Sequence, residues 1–398
     1  MNRLVSVIKK LVFRAPKYIW HFCCMTVFYC LGGIAVLVSE KYRDVWIVSE
    51  RGKDARDNGY HFYKYVRETR PDIKAYYIID KKSPDYPKVE KLGNVVAYGS
   101  FKHHLLFSVS THKISTHVFG YSPDILCYNR FQKLGLIRGR LVLLQHGIIV
   151  NDIKWMFYPN TRLDLFVCGA KPEYEAVKER YGYPSGVVRY LGLCRYDALL
   201  KPHEEKSRIL LMPTWRIDIC GGSSENFRKS EYHNAFQSLI NNPRLLKFLE
   251  SNNTELVFYP HYEVQKFLDT FSSSSDKVVL ASFEEYDVQE LLLSSRLLIT
   301  DFSSVFFDFA YMGKPIVFYQ FDEEDYRRQN YQKGYFDYRK DGFGSVLGDE
   351  EAVVDRIIEI AENNFDVDEE YAKRVNGFFE MRDAENCKRN LDAVLSLN

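Results

Sequence analysis

The chain has 398 residues, which is too long for one ordinary hydrophobic core and predicts two domains. Hydrophobic residues make up 46% of the chain and charged residues 27%, a globular composition that excludes a disordered protein. The 54 basic and 53 acidic residues give a formal net charge of +1, which argues against a nucleic-acid-binding protein with a general basic surface.

Residues 1–43 form a basic and apolar segment with no acidic residue before Glu40. Its basic residues precede residues 18–38, which contain no Asp, Glu, Lys or Arg and are long enough to cross a bilayer. His21 and the Gly32-Gly33 pair weaken the prediction of a span. We therefore favour an in-plane or re-entrant anchor whose basic residues contact anionic lipid headgroups. A true span and a cleaved or buried helix remain as alternatives.

Eight cysteines occur, but none forms a C-x-x-C pair and their spacing fits no zinc module. Most of them lie in apolar, strand-like runs, where a reduced cysteine behaves as a small hydrophobic residue. This pattern indicates a reducing cytoplasm.

Residues 44–203 alternate between strand-like and helix-like runs and predict a parallel sheet with helical crossovers. The predicted strands are residues 45–50, 75–80, 94–99, 140–147, 163–169 and 187–192. The charged run KPHEEK at residues 201–206 is the best candidate for a linker.

Residues 204–398 repeat the alternation, with predicted strands at residues 208–215, 254–261, 277–282, 296–301 and 314–320. The fold class is therefore α/β, with two Rossmann-like domains, and we expect the domains to face each other across a cleft. Such sheets bind ligands beyond the carboxyl ends of their strands. The segment from Glu350 onward reads as helices of this second domain.

Histidines end two of the predicted strands. The predicted strand RLVLLQHG ends in His146 and Gly147. The glycine has no side chain, so a ligand or another backbone segment can approach closely. TELVFYPH delivers His261. A histidine in either place can accept a proton near neutral pH, and a protonated one can stabilise phosphate charge. The alternative is a core histidine, or a loop or capping histidine, with no chemical role.

Two further strand ends carry polar groups. RLLITDFSS delivers Asp301, Ser303 and Ser304 before an apolar helix, an arrangement that suits a diphosphate but also suits ordinary N-capping. Asp308, inside that helix, could reach a substrate hydroxyl or face solvent. MPTWR delivers Thr214 and Arg216, and the arginine fork could bind phosphate or form a surface ion pair.

Residues 49–68 are rich in charged side chains and lie between a predicted strand and a predicted aromatic helix. They form either a binding site for an acceptor phosphate or a solvated loop. The candidates are Arg51, Lys53, Asp54, Arg56, Asp57 and Asn58, of which Arg51 and Asn58 are favoured. The chain contains neither a P-loop nor a G-x-G-x-x-G signature. Because no metal-ligand cluster is evident, no metal is expected.

In combination these motifs resemble the CDP-glycerol glycerophosphotransferase family of teichoic-acid and capsule biosynthesis. The motifs are VSERGKDARDNGYHFYKY, LQHG, MPTWR, FYPH and ITDFSSVFFDFAYMGKPIVFY, which occur in the family's order over residues 44–345.

The resemblance implies a GT-B fold attached peripherally to the cytoplasmic face of the membrane. It implies that an acceptor hydroxyl attacks the distal phosphorus of CDP-glycerol, or of a related donor such as CDP-ribitol, and that CMP leaves. His146 would be the base, His261 would assist at the phosphates, and Arg216, Ser303 and Ser304 would hold the pyrophosphate. The acceptor would be a lipid-linked saccharide or polyol phosphate. The resemblance implies no cofactor beyond the donor and leaves a homo-oligomer open.

Two other functions remain as alternatives. One is a GT-B glycosyltransferase that uses a nucleotide sugar, and the other is a non-catalytic membrane-bound scaffold. The released nucleotide distinguishes the first alternative from phosphoryl transfer, because sugar transfer releases a nucleoside diphosphate and phosphoryl transfer releases CMP. The presence of both histidines, the arginine and the paired serines argues against the second alternative.

Overall fold

The computed structural model describes residues 2–124, 128, 131–132, 135–329 and 334–397, and for residues 2–18 it describes the backbone only. The cysteine at position 127 lies outside the described residues. The chain divides into two compact units. The first unit comprises Met1–His146, Lys154–Asp197 and Asp383–Asn398, and the second comprises Gly147–Ile153 and Ala198–Arg382.

The first unit is built on a parallel sheet of seven strands. They are β1 (Val45–Ser49), β2 (Lys74–Ile79), β3 (Val95–Ala97), β4 (His112–Ser115), β5 (Arg140–Leu143), β6 (Leu165–Cys168) and β7 (Val188–Tyr190). Their spatial order is β3-β2-β1-β4-β5-β6-β7, so the direction of winding reverses between β1 and β4. This order is that of a Rossmann-like fold, and the reversal marks the place where such sheets bind ligands.

Helices connect these strands, and apolar residues of both form the core of the unit. The helices are Asn2–Val38, Asn58–Thr69, Tyr86–Glu90, Phe101–Val109, Tyr158–Thr161, Lys171–Arg180 and Asn386–Leu395, with 3-10 turns at Glu40–Tyr42 and Lys154–Met156. Val48 and Val142 are buried in one core cluster with Phe62 of the first crossover helix, and the next strand residues, Ile47 and Leu143, are buried too, so the sheet is apolar on both faces.

The second unit repeats the plan with six parallel strands. They are β8 (Arg208–Leu211), β9 (Glu255–Phe258), β10 (Val278–Leu280), β11 (Leu297–Thr300), β12 (Ile316–Tyr319) and β13 (Gly344–Leu347). Their order is β10-β9-β8-β11-β12-β13, which places the reversal between β8 and β11. The predicted class of two Rossmann-like α/β domains is therefore confirmed.

The helices of the second unit are short apart from those near the carboxyl end of the chain. They are Ile217–Cys220, Ser224–Arg228, Glu231–Leu239, Pro243–Ser251, Tyr262–Gln265, Val288–Ser294, Val305–Tyr311, Glu323–Gln329, Tyr338–Asp341, Glu350–Glu362 and Glu369–Phe378, with a 3-10 turn at Leu268–Thr270. A further short helix, Tyr196–Leu199, contains the second of the two points where the chain passes from the first unit to the second.

The last helix differs from the predicted domain boundaries, which assigned residues 204–398 to the second domain. Asn386–Leu395 belongs to the first unit, where Cys387 and Leu391 enter the core. Asp197 accepts hydrogen bonds from the backbone N–H groups of Asn386 and Cys387, at 2.9 and 2.8 Å. An amphipathic helix buries its apolar stripe but does not specify its partner, so the sequence pattern could not assign this helix.

The N-terminal helix, Asn2–Val38, packs one side against the helix Phe101–Val109 of the first unit. Phe28 stacks on His104 with ring centroids 4.8 Å apart, and His21 Nδ1 lies 2.5 Å from Asp124 Oδ2. A Cβ on Gly32 would lie 2.2 Å from Ser108 Oγ, so glycine is required for this close approach. Residues 19–38 are long and apolar enough to cross a membrane by length and composition, which is weak evidence by itself.

Candidate functional site

The first candidate site lies in the first unit, at the carboxyl ends of β1, β4 and β5. Glu50 directly follows β1, His117 follows β4, and His146 follows β5. These strands are neighbours around the winding reversal, so their polar ends lie at the place where a Rossmann-like sheet binds its ligand.

The backbone before His146 turns sharply. Gln145 has a φ of +65°, a left-handed conformation that a continuing strand cannot adopt. The turn leaves 65% of the His146 side chain exposed, while its Nδ1 lies 2.6 Å from Oδ2 of Asp57. A ligand can therefore reach the imidazole while a buried carboxylate holds the opposite side of the ring.

Asp57 is also held by the guanidinium of Arg195. Nη1 of Arg195 lies 2.6 Å from the other carboxylate oxygen of Asp57, and it also donates to the carbonyl of His146 at 2.7 Å. Asp57 caps the helix Asn58–Thr69 by accepting from the backbone N–H of Asn58 at 2.7 Å. One buried carboxylate thus fixes a histidine, an arginine and a helix terminus.

These contacts determine the charge of Asp57 and the position of the proton on His146. Burial raises the pKa of Asp57, but the charges of Arg195 and His146 lower it by more, so its pKa lies well below the usual range. Asp57 is therefore ionised and can only accept, which assigns the proton of neutral His146 to Nδ1 and leaves Nε2 as a free base.

The pKa of His146 is raised above its ordinary value. Desolvation lowers this pKa, whereas the negative charge and hydrogen bond of Asp57 raise it. Because the His146 side chain is largely exposed, it stays hydrated, and the effect of Asp57 outweighs that of desolvation and raises the pKa. His117, whose ring centroid is 4.8 Å from that of His146, has its pKa lowered to about 3 by burial and by His146.

Asn58 and Arg51, both predicted to contact substrate, have different surroundings. Asn58 is fully buried; its side chain donates to the carbonyl of Gln145 at 2.8 Å and accepts from the backbone N–H of Arg195 at 2.9 Å. The side chain of Asn58 therefore supports the His146 turn, and its contact with substrate stays a prediction. Arg51 is exposed and pairs with Asp54 at 2.6 Å.

Glu50 organises the loop that carries Asp57. It is buried, and its carboxylate accepts from the backbone N–H groups of Arg56, Asp57 and Tyr60 at 2.9 to 3.1 Å. Burial and the nearby charge of Asp57 raise the pKa of Glu50 to about 7, while these hydrogen bonds oppose the rise.

Gly120 packs against this loop, and Gly120→Ala is expected to lower the free energy of unfolding by about 1–3 kcal/mol. A Cβ there would lie 1.6 Å from the Glu50 carbonyl oxygen and 2.3 Å from Ser115 Oγ, so the loop must shift. Gly377→Ala is the matched control, because its Cβ meets nothing within 4 Å and its helix should gain roughly 0.5–1 kcal/mol. Urea unfolding measures both; equal effects would show that Gly120 is not tightly packed.

With His146 as the base that the family resemblance implies, Asp57→Asn is expected to shift the acidic limb of the pH–rate profile for CMP release to lower pH and to reduce the plateau rate roughly 10²-fold. The neutral, proton-accepting form of His146 is populated above its pKa. Removing the Asp57 charge lowers that pKa, so the neutral form persists at lower pH but is a weaker and less well-oriented base. Asp54→Asn, three residues earlier, should leave the profile in place. An unmoved acidic limb in Asp57→Asn would separate Asp57 from the titration of His146.

The second candidate site lies in the second unit, beyond the carboxyl ends of β8, β9 and β11. Arg216 follows β8 and is almost fully buried. Its Nη1 lies 2.9 Å from Asp301 Oδ2, and its Nε and Nη2 bind the two oxygens of Asp322 at 2.7 and 2.9 Å. These carboxylates raise the pKa of Arg216 above its ordinary value, against the effect of burial.

Arg216 is predicted to bind phosphate, and that contact stays a prediction, because the structure shows only its ion pairs within the protein. Its guanidinium is directed at two carboxylates of the protein and stacks among Tyr232, Phe302 and Tyr326. The backbone N–H groups of Thr214 and Phe302 donate to Asp301 at 2.8 and 2.6 Å. Thr214 and Asp301 therefore belong to one buried network that joins the ends of β8 and β11.

The remaining predicted residues are distributed around this network. His261 caps the helix Tyr262–Gln265, and its ring stacks on Trp215 with centroids 6.0 Å apart. A Cβ on Gly147 would lie 3.3 Å from Ser304 Oγ, so these two predicted residues lie together. Ser303 is partly exposed and Ser304 exposed.

Asp308 is buried within the helix Val305–Tyr311. Of its two predicted placements, the one that faces solvent is therefore wrong, and a contact with a substrate hydroxyl stays a prediction. Within the described ranges, no group of three or more His, Cys, Asp or Glu side chains is placed to hold a metal ion.

The first site contains an imidazole hydrogen-bonded to a buried carboxylate, and the second contains a buried ion-pair network together with the partly exposed Ser303 and the exposed Ser304. Sequence reasoning found both strand-end histidines but missed Arg195, because no motif marks it. It placed Asp57 among possible phosphate contacts, although an aspartate before an aromatic helix is also an N-cap signal that could have located it.

Comparison with known proteins gives three findings. Residues 33–396 match the family model described as CDP-Glycerol:Poly(glycerophosphate) glycerophosphotransferase. The chain is 37% identical over 372 residues to the minor teichoic acid biosynthesis protein GgaB of Bacillus subtilis (strain 168), which covers 89% of this chain but 40% of GgaB. It is 23% identical over 364 residues to a teichoic acid poly(glycerol phosphate) polymerase of Staphylococcus epidermidis, covering 83% of this chain and 46% of that protein.

Among solved structures, the wall teichoic acid polymerase TagF matches with a TM-score of 0.67 at 15% identity, covering 99% of this chain and 97% of that one. A putative UDP-N-acetylglucosamine 2-epimerase from Listeria monocytogenes matches with a TM-score of 0.55 at 14% identity, covering 89% and 96%. Both likenesses concern the fold. The chain spans less than half the length of the two curated relatives described above.

Proposed function

The chain belongs to the CDP-glycerol:poly(glycerophosphate) glycerophosphotransferase family, and we propose that it transfers glycerol phosphate, or a related polyol phosphate, from CDP-glycerol to an acceptor hydroxyl. The acceptor is a lipid-linked saccharide or polyol phosphate in teichoic acid or capsule synthesis. The observation that carries the proposal is the exposed His146 held at Nδ1 by Asp57, at the carboxyl end of β5.

The reaction is a displacement at phosphorus. The acceptor hydroxyl attacks the phosphorus that carries glycerol, a new P–O bond forms, and the bond to the bridging pyrophosphate oxygen breaks. CMP leaves with that oxygen, and Nε2 of His146 takes the hydroxyl proton. Asp57 stabilises the imidazolium that results, and Arg195 keeps Asp57 ionised.

The donor phosphates are assigned to the second unit. The proposed contacts are the hydroxyls of Ser303 and Ser304 and the imidazole of His261, which when protonated stabilises the charge of the leaving group. Arg216 and Asp301 support these residues by joining the loops that follow β8 and β11. Thr214 is held by the same carboxylate.

We place the enzyme at the cytoplasmic face of the membrane, with its N-terminal helix in the plane of the lipid. Apolar side chains of this helix are exposed on one side, including Trp20 (68%) and Leu37 (78%). The other side contacts the first unit from His21 to Gly32. A helix surrounded by lipid on all sides could not make these contacts, whereas an in-plane helix can.

The test is nucleotide release by the purified full chain in detergent, with CDP-glycerol, CDP-ribitol or UDP-sugars and a lipid-linked acceptor analogue. Acceptor-dependent CMP from one CDP-polyol is the expected result and identifies the donor. Release of UDP from a nucleotide sugar without CMP would contradict the proposal and favour a glycosyltransferase. Absence of turnover with every donor and acceptor would favour the scaffold.

A further inference from the structure

The first unit also contains a ligand-sized groove away from the carboxyl ends of its strands, where the first candidate site lies. It is a groove of about 640 Å³ between the carboxyl-terminal half of the N-terminal helix and the start of β4 and β5. One wall is apolar and helical, and includes Gly33, Val36 and Leu37. The other wall contains Arg138 and Arg140. No step of the proposed reaction uses this groove.

The basic wall is a constrained turn. Gly139 has a φ of +81°, and a Cβ there would lie 2.4 Å from the Ser110 carbonyl oxygen. The backbone N–H of Arg140 donates to the Thr111 carbonyl at 2.7 Å. Lys113, fully buried, donates to the carbonyls of Ser110 and Arg138 at 3.0 and 2.5 Å. The turn therefore presents two arginines in a defined place.

The charge of this wall is incompletely neutralised. Arg140 pairs with Asp164 at 3.3 Å, and both side chains are partly exposed. Arg138 lies over the ring of Tyr29, 5.2 Å from its centroid, and no carboxylate pairs with it among the described residues. Arg43, which follows the 3-10 turn Glu40–Tyr42, donates to the Val36 carbonyl at 2.9 Å, but its charge is partly offset by Glu40 at 3.9 Å.

The apolar wall is continuous with the exposed face of the N-terminal helix. Leu37 and Val38 are 78% and 75% exposed, and Ile34 lies one turn earlier on the same helix. Gly33 lines the groove, and a Cβ there would meet nothing within 4 Å, so the space beside it is open. A ligand that fits both walls has an anionic head and apolar chains.

We propose that this groove binds one anionic glycerophospholipid of the bilayer. Its phosphate lies on Arg138 and Arg140, and its acyl chains follow the N-terminal helix past Gly33. The site rests on the in-plane placement of that helix in the proposed function, and it is independent of the transfer chemistry. It orients the first unit on the membrane through a specific lipid rather than by general attraction.

The experiment measures binding of dihexanoyl phosphatidylglycerol to the full chain in neutral detergent by native mass spectrometry. Dihexanoyl phosphatidylcholine tests the need for a net negative head, and glycerol phosphate tests whether a free phosphate suffices. One saturable site for phosphatidylglycerol, with much weaker binding of the other two, is expected. Equal binding of phosphatidylcholine or of free glycerol phosphate would overturn the proposal.

Two variants test the two walls. Arg138→Gln with Arg140→Gln should weaken phosphatidylglycerol binding roughly thirtyfold, since each arginine near an anionic lipid surface contributes about a factor of five. Gly33→Trp should weaken phosphatidylglycerol binding roughly tenfold, because the indole fills the groove. Because tryptophan also makes the helix more apolar, a nonspecific lipid contact would instead be strengthened. Arg70→Gln with Arg180→Gln removes the same charge elsewhere on the first unit and should leave binding unchanged.

The variants also separate this inference from the proposed function. CMP release with a soluble acceptor should be unchanged in the groove variants, which also reports that they are folded. Unchanged lipid binding in Gly33→Trp would overturn the groove site while leaving the transfer reaction intact. Conversely, selective lipid binding without CMP release from any donor would retain the groove and reject the transferase.

Discussion

His146→Ala is expected to lower the rate of acceptor-dependent CMP release by roughly 10²- to 10⁴-fold, the usual contribution of a positioned general base. The substitution removes the only atom at this strand end that we assign to accept the hydroxyl proton. It should cost little stability, because the His146 side chain is 65% exposed and Arg195 still pairs with the Asp57 carboxylate. The rate is measured at saturating CDP-glycerol, so that weakened binding does not mimic lost chemistry.

His203→Ala is the matched control, because His203 lies in the charged segment between residues 201 and 206, which we assign no chemistry. It should retain the wild-type rate. A wild-type rate in His146→Ala, with the protein folded by circular dichroism, would remove His146 from the mechanism. A similar loss in His203→Ala would show that the assay reports general damage rather than a missing base.

Asp301→Ala is expected to lower the free energy of unfolding by about 3–5 kcal/mol, because it leaves the buried Arg216 with an uncompensated share of charge. It also removes the acceptor for two backbone N–H groups, those of Thr214 and Phe302. The effect should appear as a lower midpoint of urea unfolding for the second unit.

Two comparisons test this explanation. Asp72→Ala removes a carboxylate from an exposed pair with Arg70 and should leave the midpoint of urea unfolding almost unchanged. In an Arg216→Met background, Asp301→Ala should cost less than it does in the wild type, because the stranded charge is already absent. An equal cost in both backgrounds would contradict the assignment of Asp301 and Arg216 to one coupled pair.

Much of the fold could be predicted from the sequence, because both sheets are parallel and their strands read as apolar runs. Every strand expected from residues 45 to 192 and from 208 to 320 is present. Two strands were not predicted. β4 contains His112 and Lys113, polar residues that tertiary contacts bury, and β13 is a short edge strand beginning with Gly344. In both, local composition did not indicate the burial or pairing that the fold imposes.

The site was predictable only where a strand end carried its own signal. His146 and His261 were identified because a histidine followed by glycine, or preceded by proline, interrupts an apolar strand. Arg195 and its contact with Asp57 depend on segments far apart in the chain, and no local pattern specifies such a pairing. Arg216 was predicted either to bind phosphate or to form a surface ion pair, and its two buried carboxylate partners could be identified only from the structure.

The central claim is that the bond broken lies between phosphorus and oxygen. It is tested most directly with CDP-glycerol labelled at two places, with ³²P in the phosphate next to glycerol and ¹⁴C in the glycerol. The account predicts that both labels enter the acceptor in equal amounts and that the released nucleotide, CMP, carries neither. Entry of ¹⁴C alone, with ³²P retained in released CDP, would mean that carbon–oxygen cleavage occurs and would contradict the account.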